Sequence, residues 1–344
     1  MKAALRILLL LVVLAIAALA LVVWQGLRSL DEPLAVQSAV RFKILPGTSF
    51  SHVAGELHAR GIVANPRAWS WYARSQDTAA AIKAGEYEIE PGMTPRELLA
   101  KMVRGDVVYY SFTIIDGWRV RDLLDALRRN QDIVTKLPAA PSNLMQRLGF
   151  GAGEAEGQFL PETYRFEGGT SDVDILQRAH TAMLHELNGA WEDHDPSLSL
   201  RSANELLILA SIVEKETANP AELAVIAGLY LHRLEIGMRL QADPTVIYGL
   251  GGAYDGSLHS VDLHTDGPYN SYTREGLPPT PIALPGAAAI HASAHPQATE
   301  ALYFVASDRD DGSHVFSATL QQQNAAVAKY VAHLRAKGAG ARSP

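Results

Sequence analysis

The chain has 344 residues, 48% of them apolar and 19% charged, so it carries enough apolar side chains for one or more substantial cores and global disorder is excluded. Its formal charge is −7, which leaves no overall positive field to attract nucleic acid. Cysteine is absent, which removes disulfides, thiolate metal sites, iron–sulfur clusters and a cysteine nucleophile together.

Ile7 to Trp24 is an uninterrupted run of 18 apolar residues. A helix needs about 17–25 residues to cross a hydrocarbon core, so the run can span a membrane. A cleaved signal peptide ending near Ala18-Leu19-Ala20 is the competing reading, but the run continues past that point to Trp24, Gln25 and Arg28, which suit a membrane interface. Residues 1–30 are therefore read as a cytoplasmic N-terminus and a retained anchor in the lipid bilayer. Lys2 and Arg6 precede the run while Asp31 and Glu32 follow it, which keeps the N-terminus inside and exports the remainder.

A pattern then repeats within residues 40–130. Lys43-Ile44-Leu45-Pro46-Gly47 leads to Val53, Leu57 and Gly61, and Tyr87-Glu88-Ile89-Glu90-Pro91-Gly92 leads to Leu98, Met102 and Gly105. A weaker third copy runs from Phe112-Thr113-Ile114-Ile115-Asp116-Gly117 through Leu123, Leu124 and Leu127. Each copy predicts a strand, a glycine turn and an amphipathic helix, and copies must pack together because none can bury its apolar face alone.

Pro138, Pro141, Gly149, Gly151 and Gly153 mark a junction, after which a second domain is expected over 154–338. Helices are predicted at 173–191, 202–217, 220–236 and 287–293, with polar Gly/Pro-rich chain between them, notably from Asp243 to Gly286. A β-hairpin is predicted around Asp308–Gly312, whose aspartates read as a solvated turn, and a surface helix at 320–337. The end from Gly338 to Pro344 is expected to fray. The fold class is α+β: an N-terminal transmembrane helix, a small α/β module and a larger mixed α+β domain.

The helix at 202–217 carries the most chemical information. It is apolar nearly all round up to Val213, then presents Glu214, Lys215 and Glu216. At 100° per residue Leu207, Ala210, Ser211 and Glu214 share a face, and the small residues leave room beside the carboxylate. Glu216 lies on another stripe and is expected to meet solvent or a structural partner. On this segment alone, a solvated helix end is the stronger reading of the same three residues. Beyond it, Arg239, Gln241, Asp243, Thr245 and Tyr248, and then Tyr269-Asn270-Ser271-Tyr272, mix amides, carboxylates and phenols with apolar residues. Sugar rings are recognised by such groups, although a loop-rich core could use them to satisfy itself. There is no HExxH helix, metal-spaced histidine cluster, Walker sequence, GxGxxG or GxSxG, so no metal or cofactor is implied.

The order of these strings resembles the endolytic murein transglycosylases of the MltG (YceG-like) family. The strings are Glu156-Gly157-Gln158-Phe159-Leu160-Pro161-Glu162-Thr163-Tyr164, then Ala210 through Glu214-Lys215-Glu216-Thr217, then Gly237 through Gly249, and Tyr269-Asn270-Ser271-Tyr272. The resemblance implies a LysM-like module at 40–130 and a periplasmic catalytic domain at 154–338 held at the bacterial inner membrane. It implies peptidoglycan glycan strands as substrate and cell-wall synthases as partners. Cleavage between N-acetylmuramic acid and N-acetylglucosamine would leave a 1,6-anhydro end, with Glu214 as general acid and then base, and Glu216 as the less favoured assignment. Gln241, Asp243, Thr245, Tyr248, Tyr269, Asn270 and Tyr272 are expected to line the glycan cleft, with Glu162 on the opposite wall. The chain departs from the family at Thr280, where glycine is common, and at Gln322-Gln323, near which a histidine is common. Two other readings stand beside this one: a lysozyme-type hydrolase pairing Glu214 with Asp243, and a membrane-anchored peptidoglycan-binding scaffold without turnover.

Overall fold

The computed structural model describes residues 2–340, with side chains from 5 to 337. Contacts divide the chain into one unit of residues 1–110 and 165–169 and a second of residues 111–164 and 170 onward. The boundary therefore falls just before the third repeat copy, which starts at Phe112.

The first unit begins with α1 (Lys2–Arg28), whose side chains from Leu5 to Gln25 all lack protein cover. Its last turn is different. Gly26 is buried against the helix that begins at Pro66, where an added Cβ would stand 3.2 Å from the Ala68 Cβ, and Leu30 enters the core. β1 (Val40–Ile44), α2 (Phe50–Ala59), α3 (Pro66–Ser75), β2 (Gly85–Ile89) and α4 (Pro95–Arg104) complete this unit. β1 and β2 pair antiparallel with Val40 opposite Ile89. The first two repeat copies therefore share one core, in which Phe42, Leu57, Tyr87, Leu98 and Met102 are almost fully buried. Their closing glycines, Gly61 and Gly105, take φ of +74° and +72°, a conformation that disfavours any side chain. α3 is absent from the sequence reading. It starts at Pro66 behind Asn65, whose side chain accepts the Ala68 N–H, and it buries Trp69, whose Nε1 donates to the Pro95 carbonyl at 3.0 Å.

The third copy behaves differently from the other two. Its strand, β3 (Tyr109–Thr113), pairs with β4 (Thr163–Glu167), and its helix, α5 (Val120–Arg129), lies in the second unit. The rest of the second unit is α6 (Leu144–Arg147), α7 (Asp172–Glu192), α8 (Ala203–Glu216), α9 (Leu223–Glu235), α10 (Asp243–Leu250), α11 (Ser260–His264), α12 (Ala287–Ala294), the antiparallel hairpin β5 (Tyr303–Ala306) and β6 (His314–Ser317), and α13 (Leu320–Gly340). α8 is the hub. No residue from Leu206 to Val213 is more than 4% exposed, and α7, α9, α10 and α12 pack around it. The segment from Asp243 to Gly286, read as irregular, contains α10 and α11.

Two further expectations change. The turn at 308–311 is not merely solvated, because Asp310 pairs with His333 at 3.0 Å and Lys337 at 2.6 Å on α13. That helix also runs on to Gly340, three residues into the segment expected to fray, while 341–344 lie outside the described residues.

Candidate active site

α8 starts cleanly, with the Ser202 side chain accepting the Glu205 N–H, and stops where Thr217 becomes extended. Along its 207/211/214 face runs the segment 281–286. The Ser211 hydroxyl donates to the Ile208 carbonyl at 2.7 Å and accepts the Ile282 N–H at 3.0 Å. One turn later Glu214 Oε2 accepts the Gly286 N–H at 3.1 Å. A third segment, the turn after β3, closes over both: Gly117 N–H donates to the Leu284 carbonyl at 2.8 Å, Leu284 N–H donates to the Trp118 carbonyl at 2.7 Å, and Lys215 Nζ donates to the Gly117 carbonyl at 3.1 Å.

Glu214 is thus bordered by two glycines and remains partly accessible. Burial pushes its carboxyl up to about 7, and nearby Asp116 adds to the rise while the Gly286 N–H and Lys215 oppose it. A carboxyl that keeps its proton in a substantial fraction of molecules near neutral pH can serve as a general acid, and its ionised form as a base. Glu216 is also pushed up to about 7 by burial, but its Oε1 accepts from the Tyr230 hydroxyl at 2.6 Å, and Tyr230 is 1% exposed. The structural partner expected for Glu216 is therefore Tyr230.

The sequence reading overlooked a third such acid. Glu156 is raised to about 7 by burial; it accepts the Val120 N–H at 2.9 Å and the Tyr248 hydroxyl at 3.3 Å. Arg119 lies over the Tyr248 ring, 5.0 Å from its centroid. Glu156 also lines a cavity of about 400 Å³ with Phe150, Gln158, His180 and Thr280. Asp116, Gly117 and Gly286 were overlooked too: Asp116 and Gly117 read only as part of a repeat, and Gly286 only as the end of a polar segment. A polar residue and a glycine between a strand and a helix were the available signals.

The expected cleft residues separate into two groups. Gln241, in a left-handed conformation, and Asp243 are exposed, and Tyr248, Tyr269 and Tyr272 are partly exposed. Tyr248 meets Tyr269 edge to face at 4.8 Å, Tyr269 shares a 2.8 Å hydrogen bond with Thr280, and Tyr272 donates to Asp243 at 2.6 Å. Thr245 and Asn270 are buried and serve as scaffold, which corrects their expected place on the cleft wall. Thr245 donates to the Ala242 carbonyl at 2.7 Å and meets Ser271 at 2.8 Å, whereas the Asn270 amide donates to the Thr265 carbonyl at 2.7 Å and its Oδ1 accepts the Tyr272 N–H at 2.9 Å. Glu162 is exposed and lines a cavity of about 430 Å³ whose wall includes Ala287, next to Gly286. The acid acting on Glu214 is Asp116, while the charge of Asp243 acts on Glu216 and Tyr272, so the Glu214–Asp243 pair has no support here.

Comparison with known proteins matches residues 42–329 to the model of the YceG-like family. The chain belongs to the YceG-like family. This YceG-like protein is 30% identical over 328 residues to the endolytic murein transglycosylase of Bacillus subtilis (strain 168), covering 88% of this chain and 89% of that one. It is 26% identical over 325 residues to the endolytic murein transglycosylase of Streptococcus pneumoniae serotype 2, covering 83% of this chain and 57% of the longer relative. Among solved structures, a yceG-like protein of Listeria monocytogenes is similar with a TM-score of 0.54 and 27% identity, over 84% of this chain and 99% of that one.

Proposed function

We propose that this YceG-like protein is a membrane-anchored lytic transglycosylase that cuts inside peptidoglycan glycan strands between N-acetylmuramic acid and N-acetylglucosamine, with Glu214 carrying the proton. The observation that carries this reading is a half-buried glutamate raised to about 7 at the end of a buried helix, walled by glycines. With Oε2 occupied by the Gly286 N–H, the proton resides on Oε1. Glu214 gives that proton to the glycosidic oxygen as the bond to C1 breaks and an oxocarbenium-like centre forms. The resulting carboxylate takes the proton of the muramoyl C6 hydroxyl, whose oxygen bonds to C1. The 1,6-anhydro ring closes, the acid is restored and no water is consumed.

Gln241, Asp243, Tyr248, Tyr269 and Tyr272 supply accessible amide, carboxylate and phenol groups suited to a glycan, and Glu162 supplies a carboxylate on the other side. The β1–α2–α3–β2 unit supports the LysM-like designation of the first module. One long apolar helix among the described residues supports a single-pass anchor. With positive residues before the apolar run, the remainder faces the periplasm of a bacterial inner membrane. Tethering confines cutting to strands near the bilayer, where cell-wall synthases are the partners we propose.

Full-length protein in detergent, incubated with uncrosslinked glycan, is expected to release anhydro-ended products, and Glu214→Gln to release none while retaining its melting temperature. Normal product yield from Glu214→Gln would refute the assignment. Products with hydrated reducing ends would identify a hydrolase, and bound but uncut glycan a scaffold.

A further inference from the structure

We propose that Asp116 is a positioning residue of this site: its carboxylate, seated against the same glycine that holds Glu214, keeps the proton on Glu214. The proposal rests on the reading of Glu214 as the proton carrier.

Asp116 sits in the turn between β3 and α5, and that turn is pinned on both sides of it. Gly117 has φ of +73°, and a Cβ there would lie 3.7 Å from Glu214 Cγ. Across from it, a Cβ on Gly286 would overlap Asp116 Oδ1 and stand 3.0 Å from Asp116 Cγ. The Gly286 N–H meanwhile reaches Glu214. Two carboxylates from residues 98 apart thus converge on one glycine (214 − 116).

No structural duty explains Asp116. Among the described residues its carboxylate has no hydrogen bond and no ion pair, and the cap of α5 is made by Asp122, which accepts the Arg119 N–H at 3.0 Å. An unpaired acid beside another acid costs folding free energy, because both cannot ionise freely. The cost has a chemical use: the more accessible Asp116 ionises first, and its charge then opposes ionisation of the more enclosed Glu214. The other charged group acting on Glu214 is Lys215 on its own helix, and that ammonium is directed to the Gly117 carbonyl. Asp116 therefore acts through Glu214 and needs no contact with the reacting atoms.

The test is a carbon-13 titration of the Glu214 carboxyl in full-length, glutamate-labelled protein in detergent, the signal being identified by its loss in Glu214→Gln. Asp116→Asn, with Asp116→Ser as a second variant, is expected to lower the Glu214 midpoint by about one pH unit, a size ordinary for a close like charge. Asp116→Glu is expected to restore it. The alkaline limb of kcat/KM should move down by the same amount, with the acid-side plateau unchanged. A Glu214 midpoint that stays in place in both neutral variants would overturn the proposal. Because the titration needs no turnover, its outcome is separate from that of the activity test: an active Glu214→Gln variant removes the proposed function and leaves the coupling between the two acids measurable.

Discussion

At the scale of single residues, burial sorts the acids at the end of α8. Glu214 and Glu216 are two positions apart, so they point to different surroundings, one to a glycine-walled opening and the other to Tyr230. Under the proposed mechanism, activity should fall as pH rises through about 7, where Glu214 loses its proton; a pH–rate profile of anhydro-product release checks this. Gly286→Ala tests the shared glycine. Its φ of −74° suits alanine, so any harm comes from displaced Asp116, and we expect at least a tenfold loss of kcat/KM with little change in melting temperature. The loss should shrink in an Asp116→Gly background, since non-additivity reports a direct clash.

The stability of individual elements depends on groups packed inside the second unit. Ser211 is fully buried and accepts the Ile282 N–H, so Ser211→Ala strands a buried donor. A loss of about 1–3 kcal/mol is expected in denaturant unfolding, with reduced turnover because the segment leading to Gly286 loosens. Gly228 on α9 packs against the Gln297 carbonyl, and a Cβ would overlap it, so Gly228→Ala should cost about 1–3 kcal/mol by overpacking. Ser211 and Glu214 were legible together as one helix face, because a period of 3.6 is a property of the chain itself. α3 and α10 were not legible, because their short sequences show too little helical period and become helical through capping by Asn65 and packing of Val246.

For the whole molecule, two features can be tested by truncation and by pH. Beginning the chain at Gln25 removes the apolar run, whose side chains are exposed from Leu5 onward, and should release the protein from membranes with its unfolding transition preserved. Beginning at Ala35 also removes Leu30 and Leu34, both buried in the first core, and should lower the melting temperature markedly. Stability should also decline as pH rises from about 4.5 to about 7. Glu216 ionises from 4.5 in the unfolded chain but only at about 7 when folded, so the stability it confers is complete below 4.5 and is lost through 7. Glu216→Gln should lessen that decline in melting temperature measured across the interval, the remainder belonging to Glu156 and Glu214, which are raised to about 7 as well.

The anchor, the paired repeat copies, α7, α8 and α9, the terminal hairpin and Glu214 itself were readable from residue order, because hydrophobic period, glycine turns and an uninterrupted apolar run are local properties. Only the tertiary structure decided that the third copy joins the second unit, that Thr245 and Asn270 are scaffold, and that Asp116 and Gly286 flank Glu214. Those outcomes depend on which distant segments pack against α8. That packing sets both the desolvation of a carboxyl and the sign of the charge beside it, neither of which spacing along the chain specifies.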